Sequence, residues 1–214
     1  MAFDAFKDLA PVSWISSVPL VLSVHPSVPA KSVKELVALA KKTGKMNPGN
    51  NGAGTTSHLS VEMLNYYASL NLPMISYKGG GPAMTGLLSG EVDFEFATAL
   101  AVAPHLKSGK VRPLAVTTPK KSSAFPDLPT MNSIYPGFES DNWYAMFFPA
   151  GTPKEIVAKL NAEIGKALKS DEVRGFMSKE GADPVGSTPD ELTAYFKKEV
   201  EKYAKLIKAR NIKL

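Results

Sequence analysis

The chain has 214 residues, 44% hydrophobic and 21% charged, with a formal net charge of +5, enough for one large or two modest domains with a real core. No apolar run approaches the ~18 residues of a membrane span, and the absence of cysteine excludes disulfides, cysteine-based zinc sites and thiol catalysis while suiting an oxidising compartment. The basic residues are spread along helices rather than massed in a stripe, so no nucleic-acid partner is expected, and three scattered histidines suggest neither a metal site nor a cofactor.

Val12 to Val24 is nearly uncharged and rich in Val, Ile, Leu and Trp, which predicts two consecutive buried strands separated around Ser16-Ser17 and Pro19. A helix follows, with Ser32 as N-cap, Glu35 three residues on, and Leu36, Leu39 and Ala40 on its apolar face. The middle then alternates. Lys45–Asn51, Met74–Tyr77, Val92–Ala97 and Val111–Thr117 read as strands, with helices over Ser57–Ala68, Pro82–Leu88 and Ala101–Lys107 between them. That alternation predicts an α/β fold of βαβ units on a parallel sheet, with ligands beyond the carboxyl ends of the strands.

Pro119 to Phe138 reads as a connection and Trp143 to Phe148 as a strand. Thr152-Pro153-Lys154-Glu155 and Thr188-Pro189-Asp190-Glu191 each open an amphipathic helix with an N-cap, a proline at the first helical position and a glutamate at the third. Trp143 and Tyr144 are candidates either for a cleft wall or for core packing.

The helix starts differ in a way that bears on function. After Ser32, Thr152 and Thr188 a glutamate can fold back onto the free N–H groups of its own helix. The three central starts, Gly52-Ala53-Gly54-Thr55-Thr56-Ser57-His58, Gly79-Gly80-Gly81-Pro82-Ala83-Met84 and Thr98-Ala99-Leu100-Ala101, carry no acid in the first turn. Open N–H groups at the positive end of a helix dipole attract an anion, and glycine lets it approach the backbone. A single loop of this kind is more often an ordinary turn. Three on one sheet edge would suit a carboxylate or phosphate, with Thr55, Thr56 and Thr98 as added hydroxyl donors.

Other chemistries fit poorly. The Gly52 loop lacks the third glycine and the later acidic residue of a dinucleotide fold, and no Gly-Lys-Ser/Thr forms a P-loop. No Gly-x-Ser-x-Gly elbow occurs, and Ser57-His58 are sequence neighbours without a third group. His58 is expected to hydrogen-bond locally at its helix start, and His25 and His105 to be structural. Asp93 and Glu95 alternate with apolar residues and would share a strand face, so a small-anion enzyme using this acid pair is the alternative reading, with a ligand-sensing module behind it.

At these loops the sequence resembles the substrate-binding receptors of tripartite tricarboxylate transporters, the TctC or Bug proteins. The resemblance rests on Phe6-Lys7-Asp8-Leu9-Ala10-Pro11-Val12-Ser13, Val24-His25-Pro26-Ser27-Val28-Pro29-Ala30-Lys31, Tyr77-Lys78-Gly79-Gly80-Gly81-Pro82-Ala83-Met84 and Phe148-Pro149-Ala150-Gly151-Thr152-Pro153, and runs over essentially the whole chain. It implies a periplasmic binding protein type II-like architecture, two α/β domains joined by crossing hinge strands, which closes on a small carboxylate without catalysis and delivers it to membrane permease subunits. It also implies that residues 1–21 are a remnant of the first domain with the first hinge strand, 22–137 the complete second domain, and 138–214 the second hinge strand with the rest of the first.

Within the Gly52–His58 stretch, Gly52, Gly54, Thr55, Thr56 and His58 correspond to the family's Gly-Asn-Gly-Ser-x-x-His-Leu loop, with Ala53 in place of the Asn. The resemblance adds Tyr77, Gly79 and Gly80 at the second loop, and Thr98 and Ala99 at the third, as ligand-binding candidates. Family members begin with an export signal and roughly a hundred further residues that carry a Pro-Gly-Gly loop. A truncated chain is therefore expected, periplasmic in its full-length form and with the N-terminal half of the first domain absent. Its last ~75 residues would lack packing partners, with swapping or a non-native oligomer as the result.

Overall fold

The computed structural model describes residues 3–213; residues 1, 2 and 214, the extremes of the expected first and last segments, lie outside the described residues. Two compact units are formed, one by Val18–Asn142 with the residues from Lys205 on, the other by the residues up to Ser17 with Trp143–Ala204.

The larger unit is built on strands β1 (Leu9–Val24, which begins in the smaller unit), β2 (Pro48–Asn50), β3 (Ile75–Ser76), β4 (Phe94–Thr98) and β5 (Arg112–Val116), in the order β3-β2-β4-β1-β5. β2 runs parallel to β3, with Gly49 opposite Ile75, and parallel to β4, with Gly49 opposite Glu95. β1 is antiparallel to both its neighbours, Leu22 facing Phe96 on one side and Ala115 on the other. The expected parallel sheet is thus mixed: the crossover from β4 to β5 leaves one strand position between them, and β1, which belongs to no βαβ unit there, completes both ladders.

β1 is also one strand of 16 residues rather than two. Pro19 has no N–H to offer, but it falls between Ser17, which pairs with β7 (Asp183–Pro184), and Leu20, where the pairing with β4 begins. Neither of these ladders loses a bond to it.

Helices α1 (Val33–Thr43), α2 (Thr56–Tyr67), α3 (Gly80–Ser89) and α4 (Ala99–Leu106) cover the sheet. α1 starts as the sequence predicts: Ser32 Oγ accepts the Glu35 N–H at 3.2 Å, while the Glu35 carboxylate accepts the Lys31 N–H at 2.8 Å. The strands sort by parity. Val21, Ala97 and Val116 pack with Met84 and Leu87 of α3 and Val102 of α4 in one apolar layer. Leu20, Leu22, Phe94 and Phe96 fill the other face, where Phe96 lies 5.9 Å from Phe138 and Phe138 lies 5.8 Å from Tyr67 of α2, ring centre to ring centre. The connection over 119–138 contains a short helix, α5 (Met131–Ile134), capped by Thr130.

The smaller unit comprises the first part of β1, β6 (Asp141–Pro149, from Trp143 on), α6 (Lys154–Ala167), α7 (Asp171–Lys179), β7 and α8 (Pro189–Arg210, as far as Ala204). α8 begins as expected, Thr188 and Glu191 closing on each other. α6 does not: Thr152 donates its hydroxyl to Pro149 O at 2.9 Å, closing the preceding turn, so the N-cap position falls to Pro153 and no side chain caps the helix. α7 goes beyond the sequence reading, although Ser170-Asp171-Glu172 is a start signal, and Ser170 does cap it. The core here is aromatic: Trp14 stacks on Tyr195 at 3.8 Å and Trp143 meets the same ring edge-on at 5.6 Å. Trp143 is therefore a packing residue, while Tyr144 is exposed.

Two features of the larger unit generate predictions. A Cβ added to Gly86 would lie 2.2 Å from Tyr77 Oη and 2.7 Å from Cζ, so Gly86→Ala should lower stability in urea by about 1–3 kcal/mol, the usual penalty of overpacking; an unchanged midpoint would refute this packing.

Glu95 is fully buried on β4, and desolvation pushes its carboxyl up to about 7 from 4.5. The folded chain thus holds this proton more tightly than the unfolded one. The associated stability is complete below about pH 4.5, is lost as pH rises through 7, and amounts to on the order of 3 kcal/mol. Denaturant titrations from pH 4.5 to 8 should show that decline in the wild type and a smaller one in Glu95→Gln.

Candidate ligand-binding site

The three starts share an edge because β2, β3 and β4 are adjacent and parallel, so their carboxyl ends and the helices that follow leave the sheet on the same side. Asn50, fully buried at the end of β2, organises the first two loops: its Oδ1 accepts the Gly52 N–H at 2.9 Å and its Nδ2 donates to Ser76 Oγ at 3.0 Å. Backbone bonds from Tyr77 N to Asn50 O (2.9 Å) and from Gly79 N to Asn51 O (3.1 Å) continue the stitching. Gly52, at φ 124°, takes a conformation that side chains disfavour, and a Cβ there would meet the Tyr77 carbonyl at 3.3 Å.

The starts are not equally open. Thr55 caps α2, its hydroxyl donating to Gly52 O at 2.8 Å and accepting the His58 N–H at 3.3 Å. Thr55 is therefore not the spare donor the sequence suggested; its proton is spent on the turn. His58 bonds locally, as expected, its Nδ1 accepting the Gly54 N–H at 3.1 Å. Burial lowers its pKa below 6.5, only partly opposed by Glu62, which keeps the ring neutral and able to accept.

Thr98 caps α4 by accepting the Ala101 N–H at 3.4 Å, leaving the first two N–H groups, of Ala99 and Leu100, without intrahelical acceptors. α3 has no side-chain cap: Gly79 stands at the N-cap with φ 111°, and Pro82 at the third position has no N–H. Gly80 and Gly81 thus present the least encumbered pair of donors on the edge.

Two further residues were missed by sequence reasoning. Ser57, 2% exposed in the first turn of α2, has no hydrogen-bond partner for its Oγ among the described residues. Asn51 Oδ1 is likewise buried and unpartnered, and the amide lies within 4 Å of where a Cβ of Gly80 would stand. Asn51 thus stands beside the α3 start, and Ser57 lies in the first turn of α2. The run Asn50-Asn51-Gly52 was a visible turn signal; nothing local distinguished Ser57 from any helical serine.

Thr56, Gly54, Gly80, Thr98 and Ala99 all lie at these starts. The Tyr77 ring does not. It runs over β2, its Cε2 3.6 Å from a Cβ placed on Gly49, and ends against Gly86 in the apolar layer, so only its backbone remains at the edge.

The acid pair does not form either. β4 begins at Phe94, and Asp93 before it accepts the Asn47 N–H at 2.7 Å. Glu95 alone enters the interior.

Residues 1–212 match the family described as tripartite tricarboxylate transporter family receptor. Protein BugT of Bordetella pertussis is 35% identical over 214 residues, covering 99% of this chain and 66% of BugT. The chain spans 61–66% of the length of this and three further curated relatives. Among solved structures, Rpa4515 of R. palustris with adipate superposes with a TM-score of 0.87 at 33% identity, covering 99% of this chain and 72% of that one. The periplasmic binding protein BugD gives 0.84 at 32%, with 99% and 72% covered. MatC from Rhodopseudomonas palustris with bound malate gives 0.82 at 28%, with 96% and 72% covered. With the family matched over residues 1–212 and a TM-score of 0.87 to a solved relative, the chain belongs to the TctC/Bug receptors of tripartite tricarboxylate transporters.

Proposed function

We propose that this chain belongs to an extracytoplasmic solute receptor that captures a small carboxylate and delivers it to a tripartite permease. The observation that carries this is the convergence of three helix starts on one sheet edge, with Gly80 and Gly81 uncapped at the start of α3 and the buried Ser57 Oγ unpartnered in the first turn of α2. Such an edge offers N–H donors and dipoles to a carboxylate but no nucleophile–base pair to act on it. An amide's O and N exchange by a half-turn, so Asn51 can present a donor there as well.

The ligands of two relatives, adipate and malate, support a di- or tricarboxylate, or an aromatic carboxylate, as the substrate class. BugD's description as periplasmic supports that compartment. The same proposal takes residues 22–137 as the ligand lobe and β1 and β6 as the hinge strands. Both strands pass from one compact unit into the other.

A thermal-shift panel tests the reading. At 100 times its Kd a bound dicarboxylate should stabilise the protein by about 2.7 kcal/mol; no shift with adipate, malate, citrate or benzoate would sink it.

Ser57→Ala should weaken carboxylate binding about 3- to 10-fold in calorimetry, the effect of one lost hydrogen bond, while leaving the unliganded melting temperature nearly unchanged. An unaltered affinity would remove Ser57 from the site.

A further inference from the structure

A cluster of buried polar groups lies within the sheet of the larger unit. Glu95 is fully buried and neither carboxyl oxygen has a hydrogen-bond partner among the described residues. Directly across the β1–β4 ladder stands Ser23, also fully buried, its Oγ also without a partner. Gly49 is opposite Glu95 on the other side, and the edge of the Tyr77 ring passes over it, 3.6 Å from where a Cβ would stand. Tyr77 Oη is enclosed and makes no hydrogen bond of standard geometry, although burial first, then Glu91 and Glu95, push its pKa up to about 12. By strand parity Ser23 and Glu95 face the same apolar layer as Val21 and Ala97. A buried polar group without partners costs free energy, so three in one layer ask for an explanation.

Their position offers one. Glu95 precedes Thr98, the α4 cap, by three residues; Tyr77 precedes Gly79, the α3 cap, by two; Gly49 adjoins Asn50, which organises the α2 loop. At 3.3 Å per residue Glu95 lies about 10 Å below the α4 start. A negative charge there would oppose an anion at the edge, whereas a neutral carboxylic acid would not.

Among the described residues no cation in the layer is placed to compensate, and the further acid near the cluster, Glu91, acts on Tyr77 with the same sign as Glu95. α3 contains no ionisable residue, nor does β2, nor β1 within this unit. α4 contributes only His105, in its last turn. Arg112 of β5 is turned onto the carbonyls of Val28 and Ala30, and Asp93 is bonded to Asn47. At the edge itself stand His58, held neutral, and the exposed Lys78.

We propose that Glu95, with Ser23 and Tyr77, forms an acid floor beneath the three helix starts that links anion capture to a proton: the anion is held while Glu95 is a neutral carboxylic acid, and its affinity falls when that carboxyl gives its proton to solvent. The inference rests on the receptor reading and adds a regulation to it. By linkage the bound anion raises the affinity of Glu95 for its proton, so binding near neutral pH takes protons up.

Calorimetry with adipate from pH 6 to 8.5 tests this, a range above the titration of ordinary carboxyl groups. Wild-type affinity should fall on the order of tenfold across the range, as expected for two charges about 10 Å apart at the effective dielectric of a protein. Glu95→Gln should bind with a flat profile at the low-pH affinity. At pH 7 the wild type should take up protons on binding, read as a difference in heat between buffers of unlike ionisation enthalpy.

A flat wild-type profile, the same slope in Glu95→Gln, or no proton uptake overturns the linkage and leaves the receptor reading intact. Absence of binding at every pH overturns both. Should Glu95→Gln fail to fold, the proton count on the wild type decides alone.

Discussion

The convergence of the three helix starts depends on β2, β3 and β4 running the same way, side by side. The alignment is held by few residues: Gly49 faces Ile75 and Glu95, Asn50 faces Ser76, and Pro48 faces Phe94. β2 is three residues long and β3 two, so the ladders alone would be weak. The Asn50 side chain, reaching one way to Gly52 and the other to Ser76, fixes the two loops beyond the sheet as firmly as the strands fix the sheet. The donors of Gly80 and Gly81 inherit their positions from that buried amide.

A division of labour follows among the three starts. α2 and α4 close one donor with their own threonines and so hold their first turns in a set geometry. α3 leaves its donors to whatever meets them and relies on glycine for access. A fully capped edge would be more stable alone and less able to receive an anion; a fully open one would leave several helix donors with only water.

The alternation of strands and helices over residues 45–117 was legible from hydrophobic periodicity, and each of those elements appears with shifted ends. The placement of β1 between β4 and β5 was not, because register and partner choice depend on contacts far apart in the chain. Pro19 misled for a related reason: a proline reads as a break unless one knows that the strand changes neighbours there. At the site, the glycine and threonine starts were visible as motifs. That Thr55 spends its proton on Gly52, and that the Tyr77 ring turns inward, required the fold. Glu95 was seen and misassigned, since alternation gives the face of a residue but not its depth.

Tyr77 occupies room left by the absent side chain of Gly86 on α3, its ring edge passing over Gly49 of the sheet. The ring is thus a spacer between β2 and the helix whose uncapped start offers the open donors. Positions 77 and 86 behave as a single shared volume: bulk gained at one has to be surrendered at the other, or α3 is levered off the sheet and its first turn moves with it. Two residues, neither of which places a side chain at the edge, thereby set how far Gly80 and Gly81 stand from Asn51 and the start of α2.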